Sequence, residues 1–451
     1  MVLDFLFRCT ITIFFIVAIM SYGRMVVRFN VFDFRLWFVG GLIYFYLSPI
    51  VFMVLYGFYQ APLFPITYLA ENTSYRLPIL ALVSFISILT ILLSLLRPRA
   101  KRIVENRSKV FIPAEYALWR RFSQITSVSL ITLVLIKILL SGGIYEYFNA
   151  YWYVRGAAAS QAIGHGAYLL FEFFIEGMLI CCTAGVVGLN YISRSHSVNK
   201  GILRANLLFF FAAIVFLISS GNRIHIVWAL FGYMLLSLQI VGWRSIWRLG
   251  LIAGLVAIPA MAWTFIRGNL LDLAGATENI GNYSTLISSE DKLFFVFMSV
   301  FEPVGGLILL ETIKEFSLDN YLLGKTIYGG FLSNIGLIAS GESTNMSVIM
   351  GESIIKEEGM SLPPGILGEL FANFGSAGLV LLFLGLVVSH LLARNGHSQN
   401  TLNGFVLASL AVMGLAIVRF PLVTGLAITA NVVLISVVLT FLVTKLPLKN
   451  Q

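Results

Sequence analysis

Arginine is the side chain in this sequence best suited to chemistry. Its planar guanidinium presents N–H donors as a fork that meets two phosphate oxygens at once, which a lysine ammonium does not do. Arg155, Arg223, Arg267 and Arg419 each stand beside or between long apolar runs. Arg223 is the sharpest case. Ile218-Ser219-Ser220-Gly221-Asn222-Arg223 is a polar pinch between two apolar runs, and it reads as the turn of a transmembrane hairpin. Glu369 lies in Leu362-Pro363-Pro364-Gly365-Ile366-Leu367-Gly368-Glu369-Leu370-Phe371-Ala372-Asn373-Phe374-Gly375-Ser376-Ala377-Gly378. Two prolines there open a short amphipathic helix that ends at glycine. His165 follows Arg155 in the glycine-rich loop expected after the run at 124–140, and His225 follows Arg223. Glu172 and Glu176 are one helical turn apart, hence on one face. Arginines with one base can hold a phosphate or pyrophosphate leaving group while a hydroxyl loses its proton. Cys9, Cys181 and Cys182 all lie inside apolar runs, without zinc spacing or a disulfide framework, and no His cluster accompanies them. No metal and no cofactor are expected.

The elements that must position these residues are membrane helices. Of 451 residues, 59% are hydrophobic and 11% charged, with a mean hydropathy of +0.91, which excludes a soluble globular domain. The formal charge of +9 comes from Lys and Arg placed mostly in short loops between apolar runs, as orientation signals are, so nucleic acid is not an expected partner. Asp4 and Arg8 precede the first run and no small-residue cleavage site follows it, so it counts as a retained span.

Runs long enough to span lie near 5–22, 36–58, 77–96, 124–140, 167–191, 202–219, 224–241, 248–266, 375–393, 403–418 and 423–443. They predict an all-α polytopic bundle of about eleven spans. The segment with Arg97, Arg99, Lys101, Arg102, Arg107, Lys109, Arg120 and Arg121 must be cytoplasmic. Alternation from it places Arg24, Arg28 and Arg35 inside, then Arg194, Lys200 and Arg204, then Arg244 and Arg248, with the N-terminus outside. A doubtful run at 293–310 carries Glu302-Pro303 at its middle and acidic flanks on both sides. It is expected to be an outer-face or re-entrant helix with a proline kink. The organisation is then an N-terminal bundle of eight spans (1–267), a large helical extracytoplasmic insertion or lid (268–374) and a C-terminal bundle of three spans (375–451). No internal repeat stands out, and the Gly250/Gly254 pair is explained by helix packing.

This topology puts Arg155, Arg223, Arg267 and Arg419 on the outer surface, against the usual charge bias. Interfacial snorkelling accounts for any one of them. Four together point to a phosphate or pyrophosphate site at the outer membrane surface. The bland alternatives for the other residues are also plain. A lone histidine near an interface is usually just hydrogen-bonded. Glu172 is interfacial and Glu176 pairs with a neighbouring helix, unless the two belong to a proton-coupled transporter. Glu369, held just above the membrane surface, either takes a proton or only caps and orients the lid.

The pattern Pro363-Pro364, Gly368-Glu369-Leu370-Phe371, Asn373-Phe374-Gly375 and Gly378 after a long outer segment, with Gly221-Asn222-Arg223 ahead of an earlier span, resembles the bacterial O-antigen polymerases of the Wzy type. Arg155 and Gly166 also match an arginine, ten residues, then glycine, a spacing that recurs in outer loops of such polymerases; Arg267 has Glu278 at the corresponding place. The resemblance implies a metal-independent glycosyltransferase of the inner membrane that uses undecaprenyl-pyrophosphate-linked oligosaccharide on the periplasmic side, with a chain-length regulator of the same membrane as a further partner. On that basis Glu369, then His165, are the expected bases, and the four arginines the pyrophosphate ligands. The alternatives are an O-antigen ligase and a transporter or flippase of the lipid-linked unit.

Overall fold

In the computed structural model the chain is all-helical among the described residues, which are 2–29, 33–56, 76–96, 113–149, 152–192, 200–219, 304–316, 321–334, 346, 349–350, 364–392, 411 and 413–445. In chain order the helices are α1 (Val2–Arg28), α2 (Phe34–Leu42), a π turn (Ile43–Leu47) leading into α3 (Ser48–Tyr56), α4 (Arg76–Leu95), α5 (Pro113–Leu140), α6 (Ile144–Asn149), α7 (Trp152–Ile163), α8 (His165–Ile192) and α9 (Lys200–Ser219). After them come α10 (Val304–Glu315), α11 (Lys325–Asn334), α12 (Gly365–Phe374), α13 (Ser376–Leu392), α14 (Met413–Arg419) and α15 (Leu422–Lys445). Among the described residues six helices are long and apolar enough to cross a membrane: Leu3–Arg28, Phe34–Phe52, Arg76–Leu95, Tyr116–Leu140, Gly166–Leu189 and Leu422–Lys445. Gly201–Leu217 and Ser376–Leu386 are shorter apolar helices. The expected runs at 224–241 and 248–266 lie outside the described residues, as does most of 403–418.

The chain forms two compact units. In the unit made of 1–101, 289–396 and 412–429, α1 and α4 run parallel. Asp4 meets Arg76 at 3.1 Å at one end, and Ser87 Oγ donates to the Phe14 carbonyl at 3.0 Å further along. The second apolar run is one continuous helix from Phe34 to Tyr56, widened by the π turn, where Ser48 N–H reaches the Ile43 carbonyl. Pro49 supplies the cause: it lacks an N–H and its ring crowds the carbonyl four residues back, and a wider turn relieves both. Helix α2 lies along α14 in the same direction, with Gly41 against Leu415 and Val418, and Gly414 so close that a Cβ there would be 2.8 Å from Phe38 N. Small residues allow such approach where lipid supplies no hydrophobic drive between helices. Arg35, placed inside by the alternation of basic segments, is 1% exposed. It pairs with Asp33 at 2.6 Å and stacks 4.4 Å over the Phe29 ring.

Helix α10 is described over Val304–Glu315, and the earlier part of the run at 293–310 lies outside the described residues. Ile308 and Phe316 join Met346, Met350 and Ala372 in a small apolar core, flanked by Tyr321, Leu322 and Ile349.

In the unit made of 102–288, 397–411 and 430–451, α5 and α8 are antiparallel. Trp119 lies against Gly188, where any Cβ would overlap the indole. Ser127 Oγ is 3.4 Å from Cys182 Sγ, and Lys137 Nζ is 2.7 Å from Glu172 Oε2. Helix α9 runs parallel to α5, with Asn206 donating to Ser123 Oγ at 3.1 Å and Tyr147 donating to the Phe216 carbonyl at 2.8 Å. Cys181 Sγ lies 3.2 Å from Ser436 Oγ on the part of α15 that belongs to this unit. The segment after α5, expected as a glycine-rich loop, is largely helical. Gly142 and Gly143 take positive φ between α5 and α6, and Gly164 does so between α7 and α8. Between those breaks, Ala157, Ala158, Ala159 and Ala162 favour helix.

Candidate functional site

The proline–glycine motif folds into α12, one of the most enclosed helices of its unit: Ile366, Leu367, Glu369, Leu370, Ala372 and Asn373 are all buried. Its start is dictated by Gly365, at φ +68, where a side chain would overlap the Tyr46 hydroxyl and the Val418 carbonyl. Tyr46 comes from the π turn. Its hydroxyl donates to the Val418 carbonyl at 2.7 Å, with the Pro364 carbonyl at 3.3 Å. One phenol therefore ties the residue before Arg419 to the residue before α12. The helix ends at Gly375, at φ +57, with the Tyr321 ring where a Cβ would be. Leu322 and Leu323 N–H groups take the Ala372 and Asn373 carbonyls at 2.9 and 3.1 Å, which satisfies acceptors that a helix end leaves open.

Glu369 is 2% exposed. One carboxylate oxygen, Oε2, accepts a short hydrogen bond from the Leu422 backbone N–H. Leu422 is the first residue of α15, so the carboxylate caps a helix N-terminus supplied by another part of the chain, where a negative charge is favoured. Asn373, one turn on, donates to Thr326 Oγ1 at 2.7 Å and to the Glu369 carbonyl at 2.8 Å. Burial pushes the Glu369 carboxyl above the ordinary carboxylate range, and the Leu422 N–H and the Thr326 hydroxyl pull it back down.

Arg419 closes α14 three residues before Leu422. It is half-buried, its guanidinium is 5.4 Å from the Phe420 ring, and its charge acts on the Tyr46 hydroxyl. Pro421 gives its carbonyl to Gly425 N–H at 2.8 Å, which starts α15. Glu369, Asn373, Thr326, Tyr46 and the Arg419 turn thus form one polar cluster inside an apolar unit. Glu369, expected just above the outer surface, is buried among these residues.

Of the expected pyrophosphate ligands, Arg419 is the one placed in side-chain detail. Arg155 falls on α7 and His165 opens α8, but their side chains lie outside the described residues, as do Arg223, Arg267 and His225 entirely. Glu172 has a partner that helix spacing alone could not name, Lys137, and Glu176 is 6% exposed in the same unit. Two further arginines come together at Asp4: Arg8 and Arg76, each 3.1 Å from its carboxylate. Arg76 stands directly ahead of the third apolar run, on the outer side by the alternation that selected the other four, so a signal for it was present. Tyr46 and Thr326 carry no local signal. Cys9, Cys181 and Cys182 are free thiols. Among the described residues no group of three or more His, Cys, Asp or Glu side chains is arranged to hold a metal ion. No family model, no curated protein and no solved structure matches this chain.

Proposed function

We propose that this protein is a membrane glycosyltransferase that polymerises undecaprenyl-pyrophosphate-linked oligosaccharide repeat units, for O-antigen or a related surface polysaccharide, on the periplasmic face of the inner membrane. The observation that carries the reading is the meeting of Glu369 with the Arg419 turn: two stretches singled out separately in the sequence share a hydrogen bond, from Leu422 N–H to Glu369. Glu369 is buried, where charges act more strongly than in water, and Arg419 stands three residues before the N–H that it accepts. In the reaction an acceptor sugar hydroxyl attacks the anomeric carbon of the lipid-linked donor. The bond from that carbon to the phosphate oxygen breaks, its electrons leave with the lipid pyrophosphate, and the hydroxyl proton passes to the Glu369 oxygen not bound to Leu422. The leaving group is a stable anion, so charge stabilisation takes the place of an acid. Each arginine about 4 Å away supplies on the order of 4 kcal/mol of raw attraction at an effective dielectric of 20, before desolvation. Arg419 is assigned this role with Arg155, Arg223 and Arg267.

The topology of eleven spans with an extracytoplasmic insertion is part of the proposal. Parallel α2 and α14 require an odd number of crossings between them. Spans three to nine supply seven, provided the run at 293–310 does not cross. A second reading, a proton-coupled transporter or flippase of the lipid-linked unit, draws on the buried Lys137–Glu172 pair and the neighbouring Glu176. A deletion strain separates these readings and the ligase on a gel of surface glycan. A single-unit cap on the core marks a lost polymerase, and no cap marks a lost ligase. Little or no cap, with the lipid-linked unit held in the inner leaflet, marks a lost flippase.

A further inference from the structure

The cluster at the start of α1 and α4 is separate from the Glu369 site and has an excess of positive charge. Arg8 Nε and Arg76 guanidinium each lie 3.1 Å from one of the two Asp4 oxygens. Arg8 also reaches the Leu55 carbonyl at 3.3 Å, and Arg76 lies 5.7 Å from the Phe7 ring. Among the described residues two guanidiniums against one carboxylate leave one net positive charge, and the other guanidinium N–H groups have no partner. The side chains stay 35–40% exposed, so a ligand can reach them. Because α1 and α4 are parallel and start at the same level, both helix N-termini face this spot and add to its attraction for an anion. Around it the surface is apolar: Leu3 is 72%, Phe5 66%, Leu6 54% and Leu77 75% exposed. A forked cation bordered by exposed hydrocarbon on two long apolar helices matches a phosphate that carries acyl chains.

We infer that Arg8 and Arg76, held apart by Asp4, form a docking site for the phosphate headgroup of an anionic phospholipid at the rim of the α1–α4 pair. Asp4 spaces the two forks and also competes with the ligand, so its removal acts opposite to removal of either arginine.

The test uses the full chain in detergent, with retained phosphatidylglycerol and phosphatidylcholine counted by native mass spectrometry. Phosphatidylglycerol is retained in preference. Arg8→Gln and Arg76→Gln each weaken its retention about fivefold, and the double variant about 25-fold, from about 1 kcal/mol per basic residue near a charged lipid surface. Asp4→Asn strengthens it about fivefold by the same measure. Equal retention of the two lipids, or a weakening in Asp4→Asn like that of the arginine variants, overturns the proposal and leaves a purely structural ion network. Displacement of phosphatidylglycerol by millimolar inorganic phosphate also overturns it, because the site then takes phosphate without the lipid. If the double variant does not fold, the lipid preference of the unaltered chain and the sign of the Asp4→Asn effect still decide.

Discussion

Replacing Glu369 by glutamine separates the two jobs that its position offers. Glutamine keeps an oxygen that can accept from Leu422 N–H, so the cap on α15 survives, but it cannot take a proton from a hydroxyl. The charge lost at the helix N-terminus is worth about 0.3–1 kcal/mol, and up to about 2 in partly buried sites. Set against this is the burial that already disfavours the charged form and raises the carboxyl above its ordinary range. A carboxyl raised on folding contributes stability that is complete below its unfolded value and is lost as pH rises through its folded value. The glutamine variant has no such titration, so above that pH it should melt at least as high as the unaltered protein. Glu369→Ala is different. It leaves the Leu422 N–H buried without a partner, at about 1–3 kcal/mol, and it should melt lower at every pH. Elongation of purified lipid-linked units should fall about 10²- to 10⁴-fold in Glu369→Gln, the usual contribution of a general base. In the unaltered enzyme the acid limb of the rate profile should lie above about 4.3, the ordinary glutamate value. A folded Glu369→Gln enzyme that still makes long chains, or that keeps the same acid limb, refutes the base assignment. Glu369 would then be a cap, and His165 the next residue to test.

Gly365→Ala should stop the protein from accumulating folded, because the new methyl overlaps the Tyr46 hydroxyl and the Val418 carbonyl. Tyr46→Phe should cost about 1–3 kcal/mol through its buried hydrogen bonds, read as a lower melting temperature. Arg223, outside the described residues, should be nearly as inactive with lysine as with alanine if it grips pyrophosphate in two-point contact. Fully active Arg223→Lys and Arg223→Ala would remove it from the site. Cysteines at Asn282 and at the well-exposed Leu323, in a background lacking Cys9, Cys181 and Cys182, should both react with an impermeant thiol reagent in spheroplasts. Protection of one alone would mean that the run at 293–310 crosses. Elongation should persist in excess chelator, and its loss with recovery on added magnesium or manganese would defeat the arginine-based mechanism.

The sequence by itself determined the class of the protein and where its long apolar helices lie. Six expected runs correspond to helices long and apolar enough to cross a membrane, because bilayer thickness and the need to satisfy every backbone group make span length a local property. The break at Gly375 and the helix opened by Pro364-Gly365 were legible for the same reason, as properties of the backbone at single residues. The helical nature of α6 and α7 was not, since the glycines around them read as loop. Only the tertiary structure decided which helices adjoin. Tyr46 and Val418 are 372 residues apart, Asp4 and Arg76 72, Glu369 and Leu422 53, and Lys137 and Glu172 35. Between membrane helices the hydrophobic effect expresses no preference, so neighbours are chosen by close packing at small residues such as Gly41, Gly188 and Gly414 and by a few buried polar contacts. That is why Glu369 reads in the sequence as a carboxylate above a surface, whereas in the fold it is buried against the first N–H of another helix.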